Sequence, residues 1–412
     1  MVVRVREYVQ RSIEPYLVQA MRDFAAVVLT GPRQSGKTTM LRESLGDSHR
    51  YVSLDAPDIR AAAMTDPRGF LAAFSPPVFI DEVQHAPHLL SYIKERIDAD
   101  RDRKGQYILS GSQNLLLSEK VNETLAGRAA MLKLLPLTMR EQAAQPAKPL
   151  PWEDGGHDRP CAAPLKHHES LWRLITRGSY PELTREPDRD ALLWQASYAQ
   201  TYLERDVRGI RQVGDLGGFQ AFLRAIAART GQLLNLAEVS RDIGVSHATG
   251  RAWLSVLDAT YQVLLLRPYY ANIGKRLVKT PKVYLTDTGL ACYLLGMTAP
   301  EHAANGPMRG QLFETLVVGE IYKTLLHRGT EPRIHFWRTA TGVEVDLLVE
   351  TPHGLVPVET KVSATPRPEM GNTIRRLRAD LGPAVLPGHV VHAGDLELPL
   401  GDEIRAIPYW RL

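Results

Sequence analysis

The chain has 412 residues, 44% hydrophobic and 23% charged, which is ordinary globular composition and enough for more than one domain with its own core. A net charge of +4 with a pI near 8.9 permits nucleic acid as a partner without requiring it. Two cysteines without metal or disulfide spacing, no stretch approaching a membrane span, and an N-terminus whose apolar residues are interrupted by charges exclude a disulfide scaffold, a membrane protein and a secretion signal, so the expected setting is the cytoplasm.

Taken in chain order, the first element is a short apolar strand from Ala25 to Leu29, ending at Thr30. It runs into Gly31-Pro32-Arg33-Gln34-Ser35-Gly36-Lys37-Thr38, and Thr38-Thr39-Met40-Leu41 reads as the first turns of a helix. Strand, G-x-x-x-x-G-K-T and helix in that order form a phosphate-binding loop, with nucleotide as the expected ligand. Backbone N–H groups from Gly31 to Thr39 wrap the phosphates at the positive end of the helix. Lys37 neutralises phosphate charge, and the Thr38 hydroxyl is a ligand for Mg²⁺, so ATP and Mg²⁺ are the expected cofactors.

Tyr51 to Asp55 and Val78 to Glu82 read as further strands, the second closed by two carboxylates. Ligands of open α/β sheets sit at the carboxyl ends of strands, which positions Asp81 for the Mg²⁺ shell and Glu82 to polarise the attacking water. Tyr107 to Leu109 is another strand, and one of Ser110, Ser112 and Gln113 just beyond it is expected to sense the terminal phosphate. Alternating strands and helices predict an α/β fold with a doubly wound parallel sheet.

Residues 145–168 are dense in Pro, Gly and His without periodicity and read as a mobile surface loop; its histidines, His157, His167 and His168, lack metal spacing. Helical pattern follows from Leu171 to Ala227. Leu236, Val239 and Ile243 then repeat at helical spacing, Gly244 breaks the helix and Ser246 caps a second one, giving a helix-turn-helix. Trp253, Val256 and Leu257 form its core, His247, Thr249 and Arg251 face outward to a DNA groove, and Tyr261 to Tyr270 suits a wing. The same segment serves equally as a packing module without DNA contact.

In the last part, Val343, Val345, Leu347 and Val349 alternate, with Asp346 on the opposite face and Glu344 read as facing away from Asp346. Leu355 to Val362 places Glu359 and Lys361 on one face, and hairpin pairing brings Asp346, Glu359 and Lys361 together. Two acids and a lysine suit metal-dependent phosphodiester hydrolysis, with Asp346 and Glu359 on the metal. In the amphipathic helix before them, Glu314 is placed to complete the metal site, whereas Glu320 lies in the apolar stripe and needs a partner. The alternative is a surface salt bridge on a hairpin.

The loop at Gly31, the Val78 to Glu82 strand, Ser110-Gly111-Ser112, Leu135-Pro136-Leu137-Thr138, Arg177-Gly178-Ser179-Tyr180-Pro181-Glu182, Tyr284-Leu285-Thr286-Asp287-Thr288-Gly289-Leu290 and Asp346 with Glu359-Thr360-Lys361 form an ordered set over nearly the whole chain. That set resembles the prokaryotic AAA-type ATPases with a C-terminal DUF4143 domain. The resemblance implies an AAA+-like ATPase core over 1–144, the loop 145–168, a helical region 169–230, a winged-helix-like module 231–300, and a PD-(D/E)xK restriction-nuclease-like α/β domain over 301–412 that either cleaves DNA or persists as an inactive binding module. AAA+ enzymes usually complete the site with a neighbour's arginine. Arg128 is the candidate here, and would imply a homo-oligomer; a structural ion pair explains it equally well. The reading is an ATPase coupled to a DNA-directed C-terminal half, with a regulatory switch for protein partners as the rival.

Overall fold

In the computed structural model, the residues described are 8–111, 124–153, 171–207, 214–270, 280–329 and 331–412. The N-terminal sheet contains β1 (Ala26–Thr30), β2 (Arg50–Ser53), β3 (Val78–Asp81), β4 (Tyr107–Gly111) and β5 (Ala129–Lys133), all parallel, in the order β2-β3-β4-β1-β5. Every residue of β1, β3 and β4 is buried, because helices cover both faces of the sheet. Val28 packs into one apolar cluster and Val27 and Leu29 into another on the opposite face. The carboxyl ends of β1 and β3 therefore meet at one edge, where the loop after β1 opens.

The middle of the chain is helical at first, with helices at Leu171–Arg177, Pro181–Arg185, Ala191–Thr201 and Leu216–Ala227. It continues through β6 (Gln232–Leu233), the helices Leu236–Asp242 and His247–Ala259, β7 (Val263–Leu266) and β8 (Lys282–Leu285), with the strands antiparallel in the order β6-β8-β7. Gly244, at φ +75°, ends the first of this helix pair, and the Ser246 hydroxyl accepts from Thr249 N at 3.0 Å to start the second. Trp253, Val256 and Leu257 are buried, and His247 and Arg251 are exposed.

The C-terminal part begins with the long helix Arg309–Leu326. It continues with β9 (Ile334–Arg338), β10 (Glu344–Thr351), β11 (Gly354–Lys361), the helix Asn372–Leu381, β12 (Gly388–His392), β13 (Leu398–Gly401) and β14 (Ile404–Pro408). The sheet runs β13-β14-β12-β11-β10-β9, antiparallel through β9, β10 and β11, then parallel from β11 through β12 to β14. The middle and C-terminal parts share one apolar core. Phe219, Phe222 and Trp253 from the first belong to the same cluster as Leu312, Phe313, Val317, Leu347 and Val358 from the second.

Two expectations are corrected here. Residues 145–153, read as the start of a mobile loop, are packed: Leu150 is fully buried, Glu153 pairs with Arg328, and Lys148 Nζ donates to Trp410 O at 3.2 Å. The histidines His157, His167 and His168 lie outside the described residues. Simple alternation also fails in β10, where the register shifts between Val345 and Leu348. Val345 and Leu348 share one apolar cluster, while Leu347 and Val349 join the core on the other side.

Candidate functional site

The phosphate loop is shaped by backbone that only a few residue types accept. Gly31 has φ +153°, and a Cβ there would stand 2.1 Å from Leu134 O; Gly36 has φ +92° at the entry to the helix Lys37–Leu45. Lys37 is buried and its ammonium donates to Gly31 O at 2.9 Å and Pro32 O at 2.8 Å, curling over its own loop. Beside it, Thr38 Oγ1 donates to Asp81 Oδ2 at 2.8 Å. Asp81 ends β3 and also accepts from Glu82 N at 3.1 Å, from Tyr51 OH at 3.3 Å and from the Ser110 hydroxyl. A hydroxyl and a carboxylate brought together at the foot of the loop are the oxygen donors that Mg²⁺ takes.

A cavity of about 440 Å³ opens over this loop. One wall is Arg33, Gln34, Gly36, Lys37, Thr38 and Thr39, with Glu82 at the side. The other wall comes from the middle helices, through Pro181, Glu182, Arg185, Glu186, Tyr198, Thr201 and Tyr202. Glu82 adopts a left-handed backbone conformation at φ +57°, which turns it out of the strand, and the Gln84 amide donates to its carboxylate. Arg185 and Tyr198 were not singled out from the sequence, although Pro181 and Glu182 belong to a motif that pointed to their neighbourhood.

The remaining predicted residues near this edge separate. Ser110, one of the three candidates for sensing the terminal phosphate, is fully buried and donates to Asp81 instead of lining the cavity, so here it holds the carboxylate. Ser112 and Gln113 lie outside the described residues. Ser35 is buried, and its carbonyl accepts from Arg11 Nη1 at 2.8 Å. Arg128 precedes β5 at the edge of the sheet opposite the loop and binds Asp98 in bidentate fashion at 2.8 and 3.0 Å, which is the structural ion pair given above as the alternative to an arginine finger.

Asp346, Glu359, Lys361 and Glu314 do come together at one end of β10 and β11. Asp346 Oδ2 accepts from Thr360 N at 2.8 Å and from Thr360 Oγ1 at 2.7 Å, and Lys361 Nζ donates to Glu359 Oε1 at 2.5 Å. The group in their midst, missed from sequence, is Lys282 of β8. Its ammonium donates to Glu314 Oε1 at 2.8 Å, pairs with Glu344 and lies 3.8 Å from Asp346 Oδ1. Glu344 thus shares the Lys282 contact with Asp346 instead of facing away, as residues two apart in a strand do. Among the described residues no three His, Cys, Asp or Glu side chains are arranged to hold a metal together, so the expected site on Glu314, Asp346 and Glu359 is not formed in this conformation.

The charges in this cluster are strongly perturbed. Burial and then the Asp346 charge push Glu314 up to about 8, and the same two causes push Glu359 up to about 8. Burial opposes the charge on Lys361, but Glu359, Asp346 and Glu314 outweigh it and raise its pKa. Lys282 likewise resists burial through Glu314, Asp346 and Glu344 and titrates above its ordinary range. The Tyr284 hydroxyl also donates to Glu314 Oε1, at 2.6 Å.

A buried polar network joins the loop to the C-terminal part. Arg11 Nη2 donates to Leu135 O at 2.6 Å, and its Nε lies 3.3 Å from Glu141 Oε1. His327, at the end of the long C-terminal helix, accepts from Leu135 N at 3.1 Å through Nε2, so its Nδ1 carries the proton toward Glu141, 3.2 Å away. Burial lowers the His327 pKa, which fits this neutral form. Glu320 has the partners its position demanded, Met139 N at 2.6 Å and Lys323. Tyr261, from the middle part, meets Thr30 Oγ1 at 2.6 Å just before the phosphate loop.

The geometry agrees with what the chain resembles. Residues 23–143 match the model of the AAA domain, 168–301 a domain of unknown function (DUF8612) and 309–412 a domain of unknown function (DUF4143). The uncharacterized protein Rv2008c of Mycobacterium tuberculosis and the uncharacterized protein Mb2031c of Mycobacterium bovis are each 29% identical over 403 residues, 97% of this chain and 83% of each relative. Among solved structures, the Walker-type ATPase PABY2304 of Pyrococcus abyssi aligns over 71% of this chain and 97% of its own, with 16% identity and a TM-score of 0.44. A RuvB structure of Thermotoga maritima aligns over 61% of this chain and 88% of its own, with 17% identity and a TM-score of 0.28. An AAA domain and a DUF4143 domain are thus present, around a parallel α/β core of the P-loop type. Among the described residues, no helix is long and apolar enough to cross a membrane.

Proposed function

We propose that this protein binds ATP with Mg²⁺ in the cavity over Gly31 to Thr39 and hydrolyses it. The observation that carries the reading is the 2.8 Å contact of Thr38 with Asp81 below a loop closed by Lys37, with Glu82 on the cavity wall. Bound Mg²⁺ would neutralise phosphate charge, with Thr38 and Asp81 as its protein ligands. Lys37 exchanges its loop carbonyls for phosphate oxygens, so the charge is already stored where the phosphates enter. Glu82 orients the attacking water and accepts its proton. Arg185 stands on the facing wall, where closure of the middle helices brings a guanidinium toward the nucleotide. Lys37→Ala should abolish or strongly weaken nucleotide binding. Glu82→Gln should keep nucleotide and lose about 10²- to 10⁴-fold in turnover. Equal turnover in wild type and Glu82→Gln refutes the role of Glu82.

A second reading concerns what hydrolysis drives. The succession of helix, three antiparallel strands, helix and parallel strand, with Asp346, Glu359 and Lys361 at one edge, supports a restriction-nuclease-like C-terminal domain, and the exposed His247 and Arg251 support a DNA-facing helix. The Lys282 ammonium among the acids favours a state that does not cut. ATP turnover measured with and without DNA tests the coupling, and salt-titrated DNA binding tests the surface. Removing the charges of Arg251 and of Lys275 and Arg276, the last two outside the described residues, should shallow the dependence of log affinity on log salt. Unchanged turnover and slope would favour the protein-partner switch.

A further inference from the structure

Two stretches of the sequence, Arg177-Gly178-Ser179-Tyr180-Pro181-Glu182 and Tyr284 to Leu290, meet face to face beside the nucleotide cavity. Asp287, 3% exposed between β8 and the helix Thr288–Leu294, accepts through Oδ2 from Ser179 N at 2.7 Å and from Ser179 Oγ at 2.9 Å. Through Oδ1 it accepts from Leu290 N at 2.9 Å. The approach is so close that a Cβ on Gly178, at φ +80°, would stand 2.5 Å from Asp287 Oδ1, and one on Gly289 would stand 2.7 Å from Arg177 O. Ser179 is held from two further directions. Its carbonyl accepts from Leu137 N at 2.9 Å, and its hydroxyl lies 3.4 Å from the Lys323 ammonium, which also donates to Leu137 O at 2.8 Å. Residues of all three parts of the chain thus grip one serine. Two residues later Pro181 opens the helix Pro181–Arg185 on the cavity wall, its Cγ 3.5 Å from where a Cβ of Gly36 would stand. On the other side of the cavity, Leu134 O excludes a Cβ from Gly31, so both walls are referred to one stretch, 134–137. A helix of five residues has little stability of its own, and its place over the loop is set by what anchors its entry.

We propose that Asp287 is a positioning residue for nucleotide hydrolysis: by holding Ser179 it sets Pro181 to Arg185 against the phosphate loop. The inference rests on the ATP reading above and adds to it the residue that places the far wall. Asp287 touches no part of the nucleotide; it acts through Ser179 and the helix that follows. Loss of the anchor leaves the loop itself, with Lys37, Thr38 and Asp81, able to bind, and removes the fixed approach of the wall that turnover needs.

The test compares the full-length chain with Asp287→Asn, which keeps the size of the side chain but puts an amide where one of the accepting oxygens stands. Amide hydrogen exchange is followed with and without ATPγS and Mg²⁺, and ATP turnover is measured in parallel. In the wild type the analogue should slow exchange in residues 31–39 and in 177–186. In Asp287→Asn the protection of 31–39 should persist, that of 177–186 should be lost, and turnover should fall about 10²-fold with affinity for ATP near wild type. Ser179→Ala, which loses the hydroxyl contact and keeps the 2.7 Å backbone one, should lose less of both and carries the same test if Asp287→Asn fails to fold. A role in stability alone would lower the melting temperature and leave the protection pattern and the turnover of the folded protein as they were. Protection of 177–186 that survives the substitutions, or turnover near wild type, would overturn the proposal. A wild-type chain protected at 31–39 but not at 177–186 overturns it alone, whereas one without protection at 31–39 refutes nucleotide binding itself.

Discussion

Replacing Arg11 with Met keeps the stem that fills the space and removes the guanidinium that joins the phosphate loop to the rest of the chain. Arg11 is 2% exposed and loses hydrogen bonds to Ser35 O at 2.8 Å and Leu135 O at 2.6 Å, with the ion pair to Glu141 at 3.3 Å. Hydrogen bonds from a charged donor contribute about 1.5–3 kcal/mol each, so two amount to about 3–6 kcal/mol. Breaking a buried pair by removing one partner costs about 3–5 kcal/mol, and the two figures describe overlapping losses, not additive ones. Glu141 keeps Ser12 N at 2.7 Å, Thr138 N at 2.8 Å and His327, which softens the isolation of its charge. The expected destabilisation of Arg11→Met is therefore about 3–5 kcal/mol by urea unfolding. Because the Ser35 carbonyl loses its support, affinity for a fluorescent ATP analogue should fall about tenfold, the equivalent of about 1.4 kcal/mol. Arg11→Lys restores the charge but not three diverging donors, and should fall between. An Arg11→Met protein that unfolds within about 1 kcal/mol of wild type and binds nucleotide equally well would refute the clamp.

Arg128→Ala should leave ATP turnover near wild type and change stability little, since Asp98 and Arg128 pair at the edge of the sheet away from the loop; a large loss of turnover would return Arg128 to catalysis. Glu314 titrates near 8 when folded, against 4.5 as its ordinary value, so between those pH values the folded chain holds a proton that the unfolded chain has lost. Wild-type stability from this group accordingly falls as pH rises from 4.5 toward 8, whereas Glu314→Gln has nothing to titrate. The stability of Glu314→Gln relative to wild type should climb across that window in denaturant titrations at several pH values, and a flat difference would count against the perturbed carboxyl.

What was legible in the sequence was whatever is written in contiguous residues. The loop from Gly31 to Thr38 declares itself because phosphate binding needs glycine backbone, lysine and a hydroxyl at fixed spacing, and β1 and β3 because strands covered on both faces are apolar throughout. Gly244 and Ser246 marked the helix pair for the same local reason. Illegible parts depend on pairing or on distant packing. The register shift in β10 exists only against β9, so no alternation in 343–349 reveals it. Lys282 stands 32 residues before Glu314 and in another part of the chain, so nothing in its local sequence points to the acids it meets. Ser110 stood among three candidates for a phosphate contact because its neighbour in space, Asp81, is invisible from its neighbours in sequence. The partner of Arg128, Asp98, stands 30 residues earlier, so the ion pair could be named only as an alternative before the structure placed the two together.

The shared core of the middle and C-terminal parts gives the nucleotide cavity a mechanical meaning. One wall is the loop of the parallel sheet and the other is built on helices whose apolar side chains are continuous with those beneath β10 and β11. A body packed through a single core does not absorb a displacement locally, so any movement of the cavity wall at Arg185 and Tyr202 is felt by the side chains beneath β10 and β11. Tyr261 against Thr30 ties that body to β1 immediately before the loop, so the two walls of the cavity are also linked at its base.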